Sequence, residues 1–164
     1  MQELFDNKIL EEKVIDEYYM RMALDEAKRA CSLNEVPIGC VIVKDNQVIA
    51  RCYNRKTLDN VATYHAEILA IEMACRKLKT WYLDDCVLYT TVEPCMMCTG
   101  AIIQSRISRV VYGTGNEAFG WFSKIEDLKI EKVSGVLEKD CQALLSNFFK
   151  ERRESKRREQ IIIN

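Results

Sequence analysis

The sequence predicts an α/β fold, a central sheet covered by helices on both faces. Three observations carry this. Stretches with apolar residues at helical spacing alternate along the chain with short runs rich in β-branched residues. Glycine, proline, asparagine and aspartate punctuate the joins. At 164 residues, 48% hydrophobic and 30% charged, the chain has the material for one domain, 1–164, with a sizeable core.

Each element has its own signal. Asp16 to Ser32 sets Tyr19, Met22, Ala23, Ala27 and Ala30 on one face, which predicts an amphipathic helix. Asn34-Glu35-Val36-Pro37 ends it. Ile38 to Val43 and Gln47 to Tyr53 flank an Asp45-Asn46 turn and read as a β-hairpin. Arg55 to Tyr64 is a polar loop. His65 to Lys77 is helical, with Ile68, Leu69, Ile71 and Ala74 facing inward. Cys86 to Val92 is a strand. Pro94 then opens a helix that runs to about Gln104, because proline is tolerated in a first helical turn. Arg109 to Tyr112 is a strand, Gly113 to Gly120 a glycine-rich loop, and Leu128 to Val133 the last strand. Glu138 to about Glu159 is the final helix, with Leu144, Leu145, Phe148 and Phe149 on its apolar side.

Composition narrows the function. No apolar run approaches the roughly 20 residues of a membrane span. Met1 to Lys13 is mixed and acidic, without the apolar core of a signal peptide. Eight cysteines with no secretion signal point to a reducing compartment, so a cytoplasmic enzyme is expected. Cys31, Cys40, Cys52, Cys75, Cys86 and Cys141 sit among apolar residues and read as small hydrophobes. A net charge of −1 excludes a generic nucleic-acid binder. Lys150 to Glu159 nevertheless carries six basic residues against three acidic ones. From charge alone that run reads as a solvated helix face with acid–base pairs at helical spacing.

The chemistry is concentrated in His65-Ala66-Glu67 and Pro94-Cys95-Met96-Met97-Cys98. A lone Cys-x-x-Cys fits a structural zinc half-site, a redox pair or two buried thiols. A lone histidine is more often a packed residue than a ligand. The compound pattern H-x-E…P-C-x-x-C is a different matter: it is the signature of zinc-dependent nucleobase deaminases. It supplies His65, Cys95 and Cys98 as ligands of one Zn2+ and leaves the fourth position for water, the mark of a catalytic site. Both motifs fall where the chain enters a helix, whose positive end favours thiolates. Zinc lowers the pKa of bound water toward neutrality. Glu67, two residues from the histidine, is the expected catalytic proton shuttle for attack on C6 of adenine or C4 of cytosine.

Much of the chain, about Tyr18 to Arg153, resembles the bacterial tRNA-specific adenosine deaminases. The matching stretches are Glu35 to Gly39 (EVPIG), Val41 to Asp45 (VIVKD), Tyr53-Asn54-Arg55, His65 to Ala70 (HAEILA), Val92 to Ile102 (VEPCMMCTGAI), Ser105-Arg106-Ile107 and Gly135 to Phe149 (GVLEKDCQALLSNFF). The resemblance implies a three-layer α/β/α, cytidine deaminase-like fold with a mixed, about five-stranded sheet. It implies a homodimer that converts the wobble adenosine of a tRNA anticodon to inosine. It also implies that Asn54, otherwise a strand-end turn residue, hydrogen-bonds the flipped base, an amide being both donor and acceptor. In its light the basic tail becomes an RNA contact through Arg152, Arg153 and Lys156.

Guanine deaminases share a Glu-Pro-Cys-x-Met-Cys pattern, so a small-molecule deaminase acting on guanine, cytosine or a nucleoside is the alternative. A zinc module that binds RNA without catalysis is a third reading, opposed by the intact Glu67. The Gly113–Gly135 segment is shorter than in the usual bacterial form, by about a short helix and its loop, and carries Trp121 and Phe122. Asn116 stands where bacterial members commonly have aspartate. In the family this loop reaches the nucleotides flanking the target, and Gly-x-x-Asn-Glu-x-Phe-Gly is more similar to the eukaryotic catalytic subunit. Losing an acid beside a phosphate backbone removes repulsion. Asn116 is therefore expected to bind substrate and to widen tolerance, single-stranded DNA included. Asn60 to Tyr64 also departs from the usual Asp-Pro-Thr-Ala, and Tyr64 is expected either to stack on a neighbouring base or to fill the core.

Overall fold

A computed structural model describes residues 2–126 and 129–163. Its elements in chain order are α1 (Gln2–Ser32), β1 (Gly39–Lys44), β2 (Gln47–Tyr53), α2 (Ala66–Leu78), β3 (Cys86–Val92), α3 (Met96–Gln104), β4 (Arg109–Thr114), β5 (Glu131–Ser134) and α4 (Glu138–Ile163), with a 3-10 turn at Phe122–Lys124. The strands form one five-stranded sheet in the order β2-β1-β3-β4-β5. β1 pairs antiparallel with both β2 and β3, whereas β3, β4 and β5 run parallel. The sheet is therefore mixed, and helices cover both faces.

The period of two in the strands divides the core. Cys40 and Ile42 of β1, Leu88 of β3 and Val110 of β4 point to the face covered by α2, with Ala66, Ala70 and Ala74 packed on them. Val41, Val43, Tyr89 and Val111 point the other way, against Tyr19, Met20, Ala23 and Leu24 of α1 and Leu144 of α4. The approach of α1 is close enough that a Cβ on Gly39 would lie 2.0 Å from the Ala23 carbonyl oxygen. One buried polar network crosses this second face. Asp16 accepts both a bidentate pair from Arg109, at 2.7 and 2.8 Å, and the Tyr89 hydroxyl at 3.0 Å.

Several boundaries differ from the sequence expectation. The first helix begins at Gln2 rather than Asp16. Residues 2–15 hold good helix formers and no glycine or proline, so propensity alone extends the helix. Ile9, Leu10 and Val14 there stay exposed, which is why no buried stripe announced it. Pro94 does not open α3. Cys95 is the N-cap, with extended backbone (φ −73°, ψ 173°), and the helix starts at Met96. β4 continues to Thr114 because that residue pairs with Val92. The last strand is Glu131–Ser134 rather than Leu128–Val133, and Leu128 lies outside the described residues. The final helix runs four residues beyond Glu159, to Ile163. Phe122 is fully buried and meets Tyr112 edge-on, so the chain after β4 is anchored in the core by an aromatic ring. Cys40, Cys52, Cys86 and Cys141 are buried, while Cys31 and Cys75 are half-buried; all are free.

Candidate active site

Parallel β3 delivers the chain into α3, and the loop after β2 delivers it into α2, so the two helix N-termini meet at one end of the sheet. His65 is the N-cap of α2 and Cys95 the N-cap of α3. Neither side chain caps its own helix, so both are available to something else. Cys98 sits in the first turn of α3, three residues after the Cys95 cap, and is fully buried.

The donor atoms of His65, Cys95 and Cys98 all lie within 4.8 Å of one another. His65 Nδ1 is 3.6 Å from each sulfur. A tetrahedral zinc with bonds of about 2.0 Å to nitrogen and about 2.3 Å to sulfur holds such donors about 3.6 Å apart. The spacing thus fits a metal of that size, and one nitrogen with two sulfurs is a zinc-type donor set. The hydrogen bond from Cys98, helped by His65, lowers Cys95 to about 4, while that same contact and burial push Cys98 up. His65 is raised, chiefly by its contact with Cys95.

Glu67 lies in the first turn of α2 and is 3% exposed. Burial raises its carboxyl above the usual range. Its Oε2 is the one buried side-chain nitrogen or oxygen without a hydrogen-bond partner among the described residues. A buried carboxylate oxygen left unpaired is costly, and in a native site it calls for a ligand, water or ion.

These groups open into a cavity of about 400 Å³, a common size for a small-molecule site. Its walls include Val36, Ile38, Asn54, Asn116, Phe119 and Phe149. A larger groove of about 860 Å³ runs along edge strand β2. Its charges are largely paired, Arg29 and Arg51 with Glu26 and Arg55 with Asp59, so it offers no comparable reactive group. Tyr64 lines this groove half-buried, so it does not fill the core.

Asn54 is 5% exposed, and its Nδ2 donates to Glu35 Oε2 at 3.0 Å. Glu35 also accepts the backbone N–H of Leu58. The carboxylate therefore fixes which way the Asn54 amide faces. Glu35, Phe119, Leu145 and Phe149 went unrecognised as site residues in the sequence reading. Glu35 lies in the matching EVPIG stretch, and Leu145 and Phe149 had been placed only on the apolar side of the last helix. Asn116 is in the cavity wall, half-buried, with its Oδ1 accepting the Phe119 N–H at 3.0 Å. Arg152 and Arg153 do not line the cavity. They are exposed on α4, one helical turn beyond Phe149, and Arg152 lies over the Phe148 ring at 5.8 Å.

Known proteins place the chain in a family. Residues 15–153 match the MafB19-like deaminase family. The chain is 42% identical over 150 residues to the tRNA-specific adenosine deaminase of Bacillus subtilis (strain 168), covering 87% of this chain and 93% of that one. It is similar to a solved tRNA:A34 deaminase that edits A to I at the wobble position, at TM-score 0.73 and 39% identity over 78% of this chain and 99% of that one. A guanine deaminase from Nitrosomonas europaea has the same fold, at TM-score 0.73 and 26% identity, over 80% of this chain and 83% of that one. With most of its length matched in this way, the chain belongs to the MafB19-like deaminases and, among them, to the tRNA-specific adenosine deaminase family.

Proposed function

We propose that this protein, as one deaminase domain, converts adenosine to inosine in tRNA by hydrolysis, at the wobble position of an anticodon. The observation that carries the reading is the unpartnered Glu67 Oε2 in a cavity that also presents His65 and Cys95. His65, Cys95 and Cys98 are the residues that hold a zinc ion. When bound, zinc supplies the Lewis acidity that makes water nucleophilic near neutral pH.

The chain's own residues do the rest. Glu67 takes a proton from the water that adds to C6 of adenine and passes it to N1. It then carries the proton of the new hydroxyl to the exocyclic amino group, which leaves as ammonia. One carboxylate serves both transfers because it regains its charge between them. Asn54, held by Glu35, sets the orientation of the base. Val36 and Ile38 form an apolar wall that keeps bulk water from the ring. Asn116 contacts the substrate from the cavity wall, and Arg152 and Arg153 contact the phosphates of the anticodon stem.

The protein works as a homodimer on this reading. Support comes from α3, where Met96 is 58% and Ile103 38% exposed although the helix carries a metal ligand at its other side. Ile103→Lys is expected to convert the dimer to monomer in light scattering; an unchanged mass would remove α3 from the interface. No helix among the described residues is long and apolar enough to cross a membrane. Eight free cysteines suit a cytoplasmic setting. Single-stranded DNA is a secondary substrate, because Asn116 sets no negative charge against its phosphates.

The deciding comparison incubates the purified protein with an anticodon stem-loop RNA, guanine and cytidine, and measures inosine and ammonia. Inosine in the RNA is the expected result. No inosine with rapid guanine turnover would overturn the reading in favour of a small-molecule deaminase.

A further inference from the structure

Glu93 immediately precedes Pro94 and is 7% exposed, yet it donates nothing to the reaction described above. Its carboxylate faces the loop between β4 and the Phe122–Lys124 turn. Oε2 accepts the N–H of Asn116 at 3.2 Å, and Oε1 accepts the N–H of Ser123 at 2.9 Å. The loop closes around these oxygens. A Cβ on Gly120 would lie 2.3 Å from Glu93 Oε2, so only glycine allows this approach.

The backbone continues the connection. The Trp121 N–H donates to the Pro94 carbonyl at 3.1 Å, and Gly120 forms an isolated β-bridge with Cys95. The Gly120 N–H returns to the Asn116 carbonyl at 2.7 Å. Asn116 and Phe119, the loop's contributions to the cavity wall, thus lie between two attachments to one carboxylate. Phe119 is 74% exposed and has little packing of its own to hold it.

We infer that Glu93 is a positioning residue: its carboxylate is the hub on which residues 115–123 hang, and it sets the substrate wall against the Glu93-Pro94-Cys95 segment. A carboxylate is required because both donors are N–H groups. Glutamine would offer one acceptor and turn its NH2 against the second N–H. The consequence for substrate rests on the RNA reading: the wall meets the nucleotides beside the target base, so loosening it weakens RNA binding more than it slows the chemistry.

The test uses the full chain as Glu93→Gln, with Gly120→Ala as an approach to the same contact from the other side. Hydrogen exchange of the 115–123 amides is expected to rise on the order of tenfold in Glu93→Gln, the scale of one lost charge-assisted hydrogen bond. KM for the anticodon stem-loop is expected to rise by a similar factor, kcat to fall by less, and metal content to stay at the wild-type ratio. The double variant is expected to be non-additive, since both changes break one contact. Unchanged exchange in Glu93→Gln, a loss carried by kcat with metal released, or additive effects would each overturn the inference. Exchange needs no substrate, so a wild-type chain inactive on the stem-loop would count against the RNA reading and leave the loop test standing.

Discussion

His65 and Cys95 enter the cavity from the caps of two helices, while Asn116 and Phe119 enter it from a loop that follows no helical or strand register. The first set has its geometry determined locally. An N-cap followed by a residue three positions on projects two side chains to one side, whatever the rest of the molecule does. The second set owes its place to contacts far apart in sequence: Glu93 to Asn116, Glu93 to Ser123 and Pro94 to Trp121. On the proposed function, the helix-borne floor does the chemistry and the loop-borne wall does the choosing between substrates. Chemistry that tolerates little displacement is placed on rigid elements, and recognition is left to loops that can vary without unfolding the sheet.

That contrast can be broken at graded cost. Cys98→Ser should have the largest effect, because it removes a donor from the fully buried side of the metal site. Activity should fall below detection, metal content should drop well below one per chain, and Tm should decrease by about 5 °C. Retained metal with full activity would show that the floor does not depend on this ligand. Glu67→Ala comes next. Turnover of the stem-loop should fall by about 10²–10⁴-fold, the usual worth of a positioned acid–base group, with metal retained. Near-wild-type rates would reassign the proton shuttle.

Changes in the wall should be milder and should depend on substrate. Asn116→Asp keeps the acceptor that holds the Phe119 N–H while adding a charge. Activity on a DNA stem-loop should fall about fivefold, from roughly 1 kcal/mol of repulsion between charges near 4 Å in water. Equal or greater DNA activity in this variant would end the idea that the missing acid widens tolerance. The smallest effect belongs to α4. Arg152→Ala and Arg153→Ala should each weaken RNA binding a few-fold and reduce the slope of log K against log salt by about 1. A slope unaffected by either change would return that run to an ordinary solvated helix face.

Legibility in the sequence follows the same division. The H-x-E and P-C-x-x-C motifs could be placed on helix starts because caps, turns and periodicity are short-range properties. The strand pattern predicted both faces of the sheet for the same reason. Pro94 misled by two positions, since its tolerance in a first turn is shared with the residues just before a cap. The N-terminal part of α1 was invisible because it buries no stripe. Glu35 and Glu93 looked like ordinary acids. Nothing local distinguishes a surface carboxylate from one buried beneath Asn54 or inside a loop.

By itself the sequence determined the alternating α/β order, the metal-type donor set, the adjacent carboxylate and the kind of reaction they support. These are written in short stretches: the element order in local periodicity, and the donors and carboxylate at the starts of two helices. Only the tertiary structure decided that Glu67 Oε2 is left without a partner, that Glu35 orients Asn54, and that Glu93 accepts from both ends of the Asn116–Ser123 loop. The first depends on burial, and the other two on partners distant in sequence, 19 residues for Asn54 and Glu35 and 23 for Asn116 and Glu93. Desolvation and long-range hydrogen bonds exist only once the sheet has brought those segments together.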